Sequence, residues 1–144
     1  MIYLLRLASL VFVVLALVPA GAHLFSLLNK MRLDKTGYLV AQRAYDGWSL
    51  FGIVIAGALL STLTLAFVLY RIGEPALLAL LAFLCLAATQ AVFWTYTFPA
   101  NRATENWTKL PDNWEVLRAT WEYSHAASAL LTFAAFLLLI LRTG

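Results

Sequence analysis

Residues 48–98 read WSLFGIVIAGALLSTLTLAFVLY, then RIGE, then PALLALLAFLCLAATQAVFWTYTF. The first block, Trp48 to Tyr70, runs 23 residues without a formal charge, and the second, Pro75 to Phe98, runs 24. At about 1.5 Å per residue, either one crosses the roughly 30 Å hydrocarbon core of a bilayer. Arg71-Ile72-Gly73-Glu74-Pro75 between them leaves room only for a tight turn. The two blocks are therefore an antiparallel pair of membrane helices.

Two more apolar blocks flank this hairpin. One runs from Met1 to Leu28, broken only by Arg6, and the other is purely apolar from Ala126 to Leu141. The last helix starts earlier than its apolar part, because Asp112 and Glu115 have capping-box spacing with Pro111 just outside. A helix of that length spans roughly 45 Å, so its first turns lie in the interfacial zone. The whole chain of 144 residues reads as one all-α, integral membrane four-helix bundle with spans at residues 3–28, 47–70, 75–98 and 114–141. Composition agrees: 63% of residues are hydrophobic and 12% charged, against about 25% charged in soluble domains. A soluble globule and a disordered chain are both excluded. Ala20-Gly21-Ala22 resembles a signal cleavage site, but the apolar run before it is too long for a signal, and an uncleaved first span is expected.

With four spans, the two longer connections, Asn29 to Gly47 and Pro99 to Pro111, fall at one end of the bundle. Thr36 is placed to cap a short amphipathic helix, Gly37 to Asp46, leading into the second span. That end carries Lys30, Arg32, Lys35, Arg43, Arg102, Lys109 and Arg118, and the other carries Arg6, Arg71 and Arg142. The positive-inside rule then puts both termini outside. No run of like charges suggests nucleic-acid binding. Cys85, the sole cysteine, has no intrachain partner and reads as a small buried hydrophobe.

Polar residues inside the apolar blocks cost the most and so inform the most. His23 lies seven residues before Lys30, Gln90 nine before Pro99 and His125 seven after Arg118, all about two turns inside the loop-bearing end. Arg118, Trp121, Glu122, His125, Ser128 and Thr132 follow at spacings of three or four and share one helix face. The third span adds Thr89, Gln90, Trp94, Tyr96 and Asn101 toward that end, and the second begins there with Tyr45, Asp46 and Trp48. This predicts a polar, aromatic pocket at one end and an aliphatic anchor at the other. Its candidate catalytic residues are His23, His125 and Arg118. Its candidate substrate-binding residues are Gln90, Trp94, Asn101, Trp121, Glu122 and Trp48. Tyr3, Tyr38, Tyr45, Trp48, Tyr70 and Trp107 also fit ordinary aromatic belts at the membrane boundaries.

Several chemistries fit these residues. Glu122-x-x-His125 puts carboxylate and imidazole on one helix face, but a di-iron bundle needs two such segments and more glutamates. His23, Glu122 and His125 together match a two-histidine, one-carboxylate site for a single transition metal. Bis-histidine haem across the bundle is a further reading, as is a purely structural cluster in which the histidines pair helices. Binding of a hydrophobic molecule without any cofactor ranks ahead of the redox centres, since Pro19, Ala20, Gly21 and Ala22 make room beside His23. Pro19 and Gly21 suggest a local distortion of the first helix. Gly57 and Ser61 have the spacing of a close helix contact. Asn106-Trp107-Thr108 matches a glycosylation sequon, a short and unspecific motif.

The stretch from Tyr38 through Gln42, Tyr45 and Trp48, then Phe98-Pro99-Ala-Asn101-Arg102 with Asn106-Trp107, then Trp114 to Arg118 and Trp121-Glu-Tyr-Ser-His125, resembles the small four-span anthrone-oxygenase-like family. The resemblance covers nearly the whole chain, and Pro-x-Asn with the Trp, Arg, Trp and His of the last span is its most specific part. It implies a four-helix membrane bundle and, for the fungal members, oxidation of polyketide anthrones by dioxygen without an evident cofactor. Many bacterial members have no assigned substrate, and a bacterial inner-membrane setting is what the resemblance implies here. On this reading His125 or His23 acts as general base and Arg118 or Asn101 stabilises the anion, within an aromatic cage of Trp94 and Trp121.

Overall fold

The computed structural model describes residues 1–141, so Arg142, counted above among the basic residues near the termini, lies outside the described residues. The elements in chain order are α1 (Ile2–Met31), α2 (Lys35–Gln42), α3 (Phe51–Arg71), α4 (Leu77–Val92), α5 (Phe98–Ala103) and α6 (Trp114–Leu141). Two 3₁₀ turns, Arg43–Tyr45 and Trp48–Leu50, connect α2 to α3, and a π-helical segment, Phe93–Thr97, joins α4 to α5. Four continuous stretches are long and apolar enough to cross a membrane: Ile2–Met31, Trp48–Arg71, Leu77–Ala103 and Trp114–Leu141. Helix α1 packs on α3 and α6, and α4 packs on the same two, which closes an up-down-up-down bundle.

Local chemistry explains the joints. At the end of α3 the Gly73 amide donates to the Tyr70 carbonyl (3.2 Å) and the Glu74 amide to Leu69 (2.9 Å), the paired bonds of a Schellman stop. Gly73 takes φ +75° there, a conformation that favours glycine. Helix α2 is capped by Asp34, whose carboxylate accepts from the Gly37 amide at 2.8 Å, in place of the expected Thr36. A Cβ on residue 37 would come within 2.9 Å of that Asp34 oxygen, so the glycine makes room for the cap. The helix ends at Gln42, short of the expected Asp46, and 3₁₀ turns take over.

The third span extends past its expected end at Phe98 as far as Ala103. Pro99 has no amide to give to the Thr95 carbonyl and its ring would crowd it, and the wider π turn falls in the residues just before. Pro19, by contrast, sits inside an α1 that runs unbroken from Ile2 to Met31. The distortion expected there does not interrupt the helix, in keeping with the tolerance of membrane helices for proline.

The interior of the half nearest the termini is made of small and aliphatic residues: Ala58, Ala66, Ala79, Ala82 and Ala135 with Val13, Leu65, Leu69, Leu86 and Leu139. Large apolar residues such as Val18, Phe25, Leu60, Phe67, Leu84 and Leu130 point outward. Small inside and large outside is what bilayer packing favours, because lipid supplies no hydrophobic drive and close backbone approach supplies dispersion. A Cβ on Gly57 would lie about 2.5 Å from the Phe12 ring, so α1 and α3 meet as closely as the glycine permits. The hydroxyls of Ser9, Thr62 and Thr132 return to the carbonyls of Leu5 (2.8 Å), Ala58 (2.7 Å) and Ser128 (2.8 Å) on their own helices. They need no partner across the bundle.

Candidate functional site

At the other end the core changes character. His23 from α1 and His125 from α6, placed at matched depth by the sequence, stack face to face with ring centroids 4.1 Å apart and planes 19° from parallel. Trp121 lies edge-on to both, 5.0 Å from His23 and 4.2 Å from His125. Tyr45 (4.3 Å) and Trp48 (5.7 Å), one on each 3₁₀ turn, close over His23. Between these turns Gly47 has φ +82°, which lets the chain double back and present both rings to the same imidazole.

Beneath the rings is an ion pair. Lys30 Nζ is 2.6 Å from Glu122 Oε2 and 3.3 Å from His23 Nδ1. The Tyr38 hydroxyl donates to the other carboxylate oxygen, Oε1, at 3.0 Å. All four residues are buried or nearly so, with Glu122 only 1% exposed and Tyr38 fully enclosed. Lys30 and His23 are seven residues apart on α1 and so share a face, Glu122 comes from α6, and α2 folds back over the end of the bundle to bring in Tyr38. Tyr38 lies outside the spans, and burial, reinforced by the Glu122 carboxylate, raises its phenol well above the ordinary range. It remains a neutral hydrogen-bond donor. Lys30 also lies about 5 Å from the Tyr45 and Trp121 ring centroids, within cation–π range.

A second polar set fixes the outer wall. Asn101 Oδ1 accepts from both indole N–H groups, Trp121 at 2.8 Å and Trp107 at 3.1 Å. Trp107 follows Glu105 and Asn106, and all three take positive φ (61°, 48° and 55°), a left-handed turn that costs non-glycine residues about 1–2 kcal/mol each. The Asn106 amide donates to the Asn101 carbonyl (2.7 Å) and the Trp107 amide to the Thr104 hydroxyl (3.1 Å), and these bonds hold the turn. Thr97 and Ser124 share a hydrogen bond of 2.7 Å between α6 and the π segment.

The candidates from the sequence divide three ways. His23, His125, Trp121, Glu122 and Trp48 come together. Asn101 and Arg118 support the group from outside: Arg118 donates to the Leu33 carbonyl at 2.7 Å and lies 4.6 Å from the Trp114 ring centroid. The cation at the imidazoles is Lys30, which the sequence presented only as a boundary charge. Gln90 and Trp94 stand apart, since Gln90 bonds to its neighbour Thr89 (3.3 Å) and Trp94 is 60% exposed, packed on Phe93 and Phe98. In a continuous α-helix Trp94 would share a face with Thr97 and Asn101. The π turn breaks that register, sending Trp94 outward while Thr97 stays buried. Tyr123 also faces outward, and Tyr45 takes the place in the cage expected of Trp94.

The aromatic-belt reading divides in the same way. Tyr3 and Tyr70 are about three-quarters exposed and fit a belt, whereas Tyr38 and Trp107 are buried structural members of the cluster. The rings fill this end of the bundle themselves. An open groove of about 440 Å³ lies elsewhere, on the α4–α6 flank between Val92, Tyr96, Ala119 and Tyr123, and its lining includes Tyr96 but none of the candidate catalytic or substrate-binding residues.

The geometry also bears on metals. Among the described residues no group of three or more His, Cys, Asp or Glu is arranged to hold a metal ion, and the His23, Glu122 and His125 set is no exception. The two imidazoles are stacked face to face, so their in-plane lone pairs are not directed at one atom between the rings. Glu122 is moreover held by Lys30 and Tyr38. A scan against protein-family models and searches of curated proteins and solved structures find no match to this chain.

Proposed function

We propose that the loop-bearing end of this membrane bundle binds a flat, hydrophobic aromatic molecule drawn from the bilayer, with the histidine pair as its acid–base groups. The observation that carries this reading is the stacked His23–His125 pair inside a wall of Trp121, Tyr45 and Trp48. Tyr45 and Trp48 are half-buried on a segment that reverses at Gly47, so a swing of that segment uncovers the imidazole faces. A flat ligand then takes up the face-to-face contacts the rings now make with one another.

The resemblance to anthrone oxygenases supplies a reaction for this site. An imidazole removes a proton from the activated methylene, the carbanion gives its electrons to dioxygen, and loss of water leaves a carbonyl. The balance is CH2 plus O2 to C=O plus H2O, with no other oxidant. Arg118, tied to Leu33, supports the wall from behind. Orientation is part of the same proposal. Lys30 is enclosed and Arg118 is bonded inward, yet Arg32, Lys35, Arg43, Arg102 and Lys109 remain exposed at the loop end, which keeps the positive-inside argument for termini outside, in a bacterial inner membrane.

The test begins with an absorption spectrum and metal analysis of purified protein, followed by titration with an anthrone under nitrogen, read by tryptophan fluorescence, and then admission of oxygen. We expect saturable quenching, quinone absorbance after oxygen, and loss of both in the His23→Ala/His125→Ala variant. A Soret band or a stoichiometric metal would replace this reading with a redox centre. Absence of quenching by any aromatic ligand would leave a cluster that serves only helix packing.

A further inference from the structure

Tyr38, Glu122, Lys30 and His23 form a chain of two hydrogen bonds joined by an ion pair, whose direction is set by chemistry. A phenol outside its ionising range donates to a carboxylate, the carboxylate only accepts, and an ammonium only donates. Tyr38 gives to Glu122 Oε1 at 3.0 Å, Lys30 forms an ion pair with Glu122 Oε2 at 2.6 Å, and Lys30 also reaches His23 Nδ1 at 3.3 Å. The lone pair at Nδ1 must therefore receive, and a neutral imidazole that accepts at Nδ1 carries its proton on Nε2. His125 stands differently. It makes only ring contacts, with His23 at 4.1 Å and Trp121 at 4.2 Å, and no hydrogen bond to any described residue.

We infer that Lys30 is a positioning residue that locks His23 as an Nε2–H donor and leaves His125 as the imidazole with a lone pair free to accept a proton. Two chemically identical side chains thereby acquire opposite roles: His23 donates to an oxygen on the ligand and His125 removes its proton. Glu122 and Tyr38 act one step further back, holding the lysine in place. This assignment rests on the reading of the histidine pair as acid–base groups, but the tautomer lock exists without ligand and can be measured without one.

The experiment is nitrogen NMR of the full chain, labelled with ¹⁵N at histidine and held in lipid nanodiscs. The chain has only two histidines, so His125→Gln leaves the His23 signals alone for assignment. We expect one His23 tautomer, protonated at Nε2 and bare at Nδ1. Lys30→Met should shift the Nδ1 resonance to that of a two-tautomer average, and Lys30→Arg, which still donates, should restore the single form. Should Lys30→Met fail to fold with Glu122 unpaired, Lys30→Met/Glu122→Gln removes both charges and reads the same signal. A protonated Nδ1 on His23 in the unmodified protein overturns the inference, as does an unchanged single tautomer in folded Lys30→Met or in Lys30→Met/Glu122→Gln. Ligand binding with the wrong tautomer would sink the lock and spare the proposed function. A locked tautomer with no ligand binding would do the reverse.

Discussion

The two halves of the bundle solve the same packing problem by opposite means. Near the termini, alanines from α3, α4 and α6 let the backbones close up, and each buried hydroxyl bonds to its own helix. At the loop end, Tyr38, Trp107, Trp121 and the two histidines hold the helices apart with rings, and polar groups pair across elements: α1 with α6, α2 with α6, α5 with α6. The first arrangement needs no polar partner across helices. The second depends on every partner, because an unpaired group in a low-dielectric interior keeps its full desolvation penalty.

The largest effect that would sharpen this contrast is at the ion pair. Lys30→Met or Glu122→Met alone should lower stability in detergent by about 3–5 kcal/mol, since each strands a buried charge, and the double change Lys30→Met/Glu122→Met should recover most of it. A loss in the double variant equal to the sum of the two single losses would mean the charges are not coupled. Asn101→Ala leaves two indole N–H groups without their acceptor and should cost about 2 kcal/mol, with a loss of near-ultraviolet circular dichroism as Trp121 and Trp107 loosen.

In the aliphatic half, Gly57→Leu forces α1 and α3 apart at Phe12 and should cost about 1–3 kcal/mol in thermal unfolding, while leaving the Trp121 circular dichroism unchanged. A change in that signal would show that the halves are coupled.

The smallest effect is at Tyr38. Its phenol ionises less readily folded than unfolded, so its contribution is full below about pH 10 and is lost as pH rises through the higher folded value. Tyr38→Phe should cost about 1 kcal/mol at neutral pH and flatten the alkaline fall in melting temperature. Parallel alkaline profiles would place that fall elsewhere.

Much of the site was legible because depth can be counted along a helix. His23 and His125 lie the same number of residues inside their flanking charges, and Trp121, Glu122 and His125 fall on one face by spacing alone. Lys30 was not legible in this way. It closes an apolar block, where a lysine ordinarily reaches the headgroups, and only the fold of α2 and the tip of α6 over it turns it inward. Tyr38 and Trp107 were hidden for the same reason, and Trp94 was misplaced because helical spacing assumes 3.6 residues per turn where Pro99 is preceded by a π turn.

The sequence by itself determined four membrane helices, their tight hairpin at Arg71–Pro75 and the end of the bundle where polarity collects. Hydrocarbon thickness and the need to satisfy backbone groups within each segment leave no other solution. Only the tertiary structure decided which cation meets the imidazoles, which tryptophan faces lipid, and that the two histidines stack. Those outcomes depend on partners from different helices and on one local change of helical pitch, and neither is written in the spacing of any single segment.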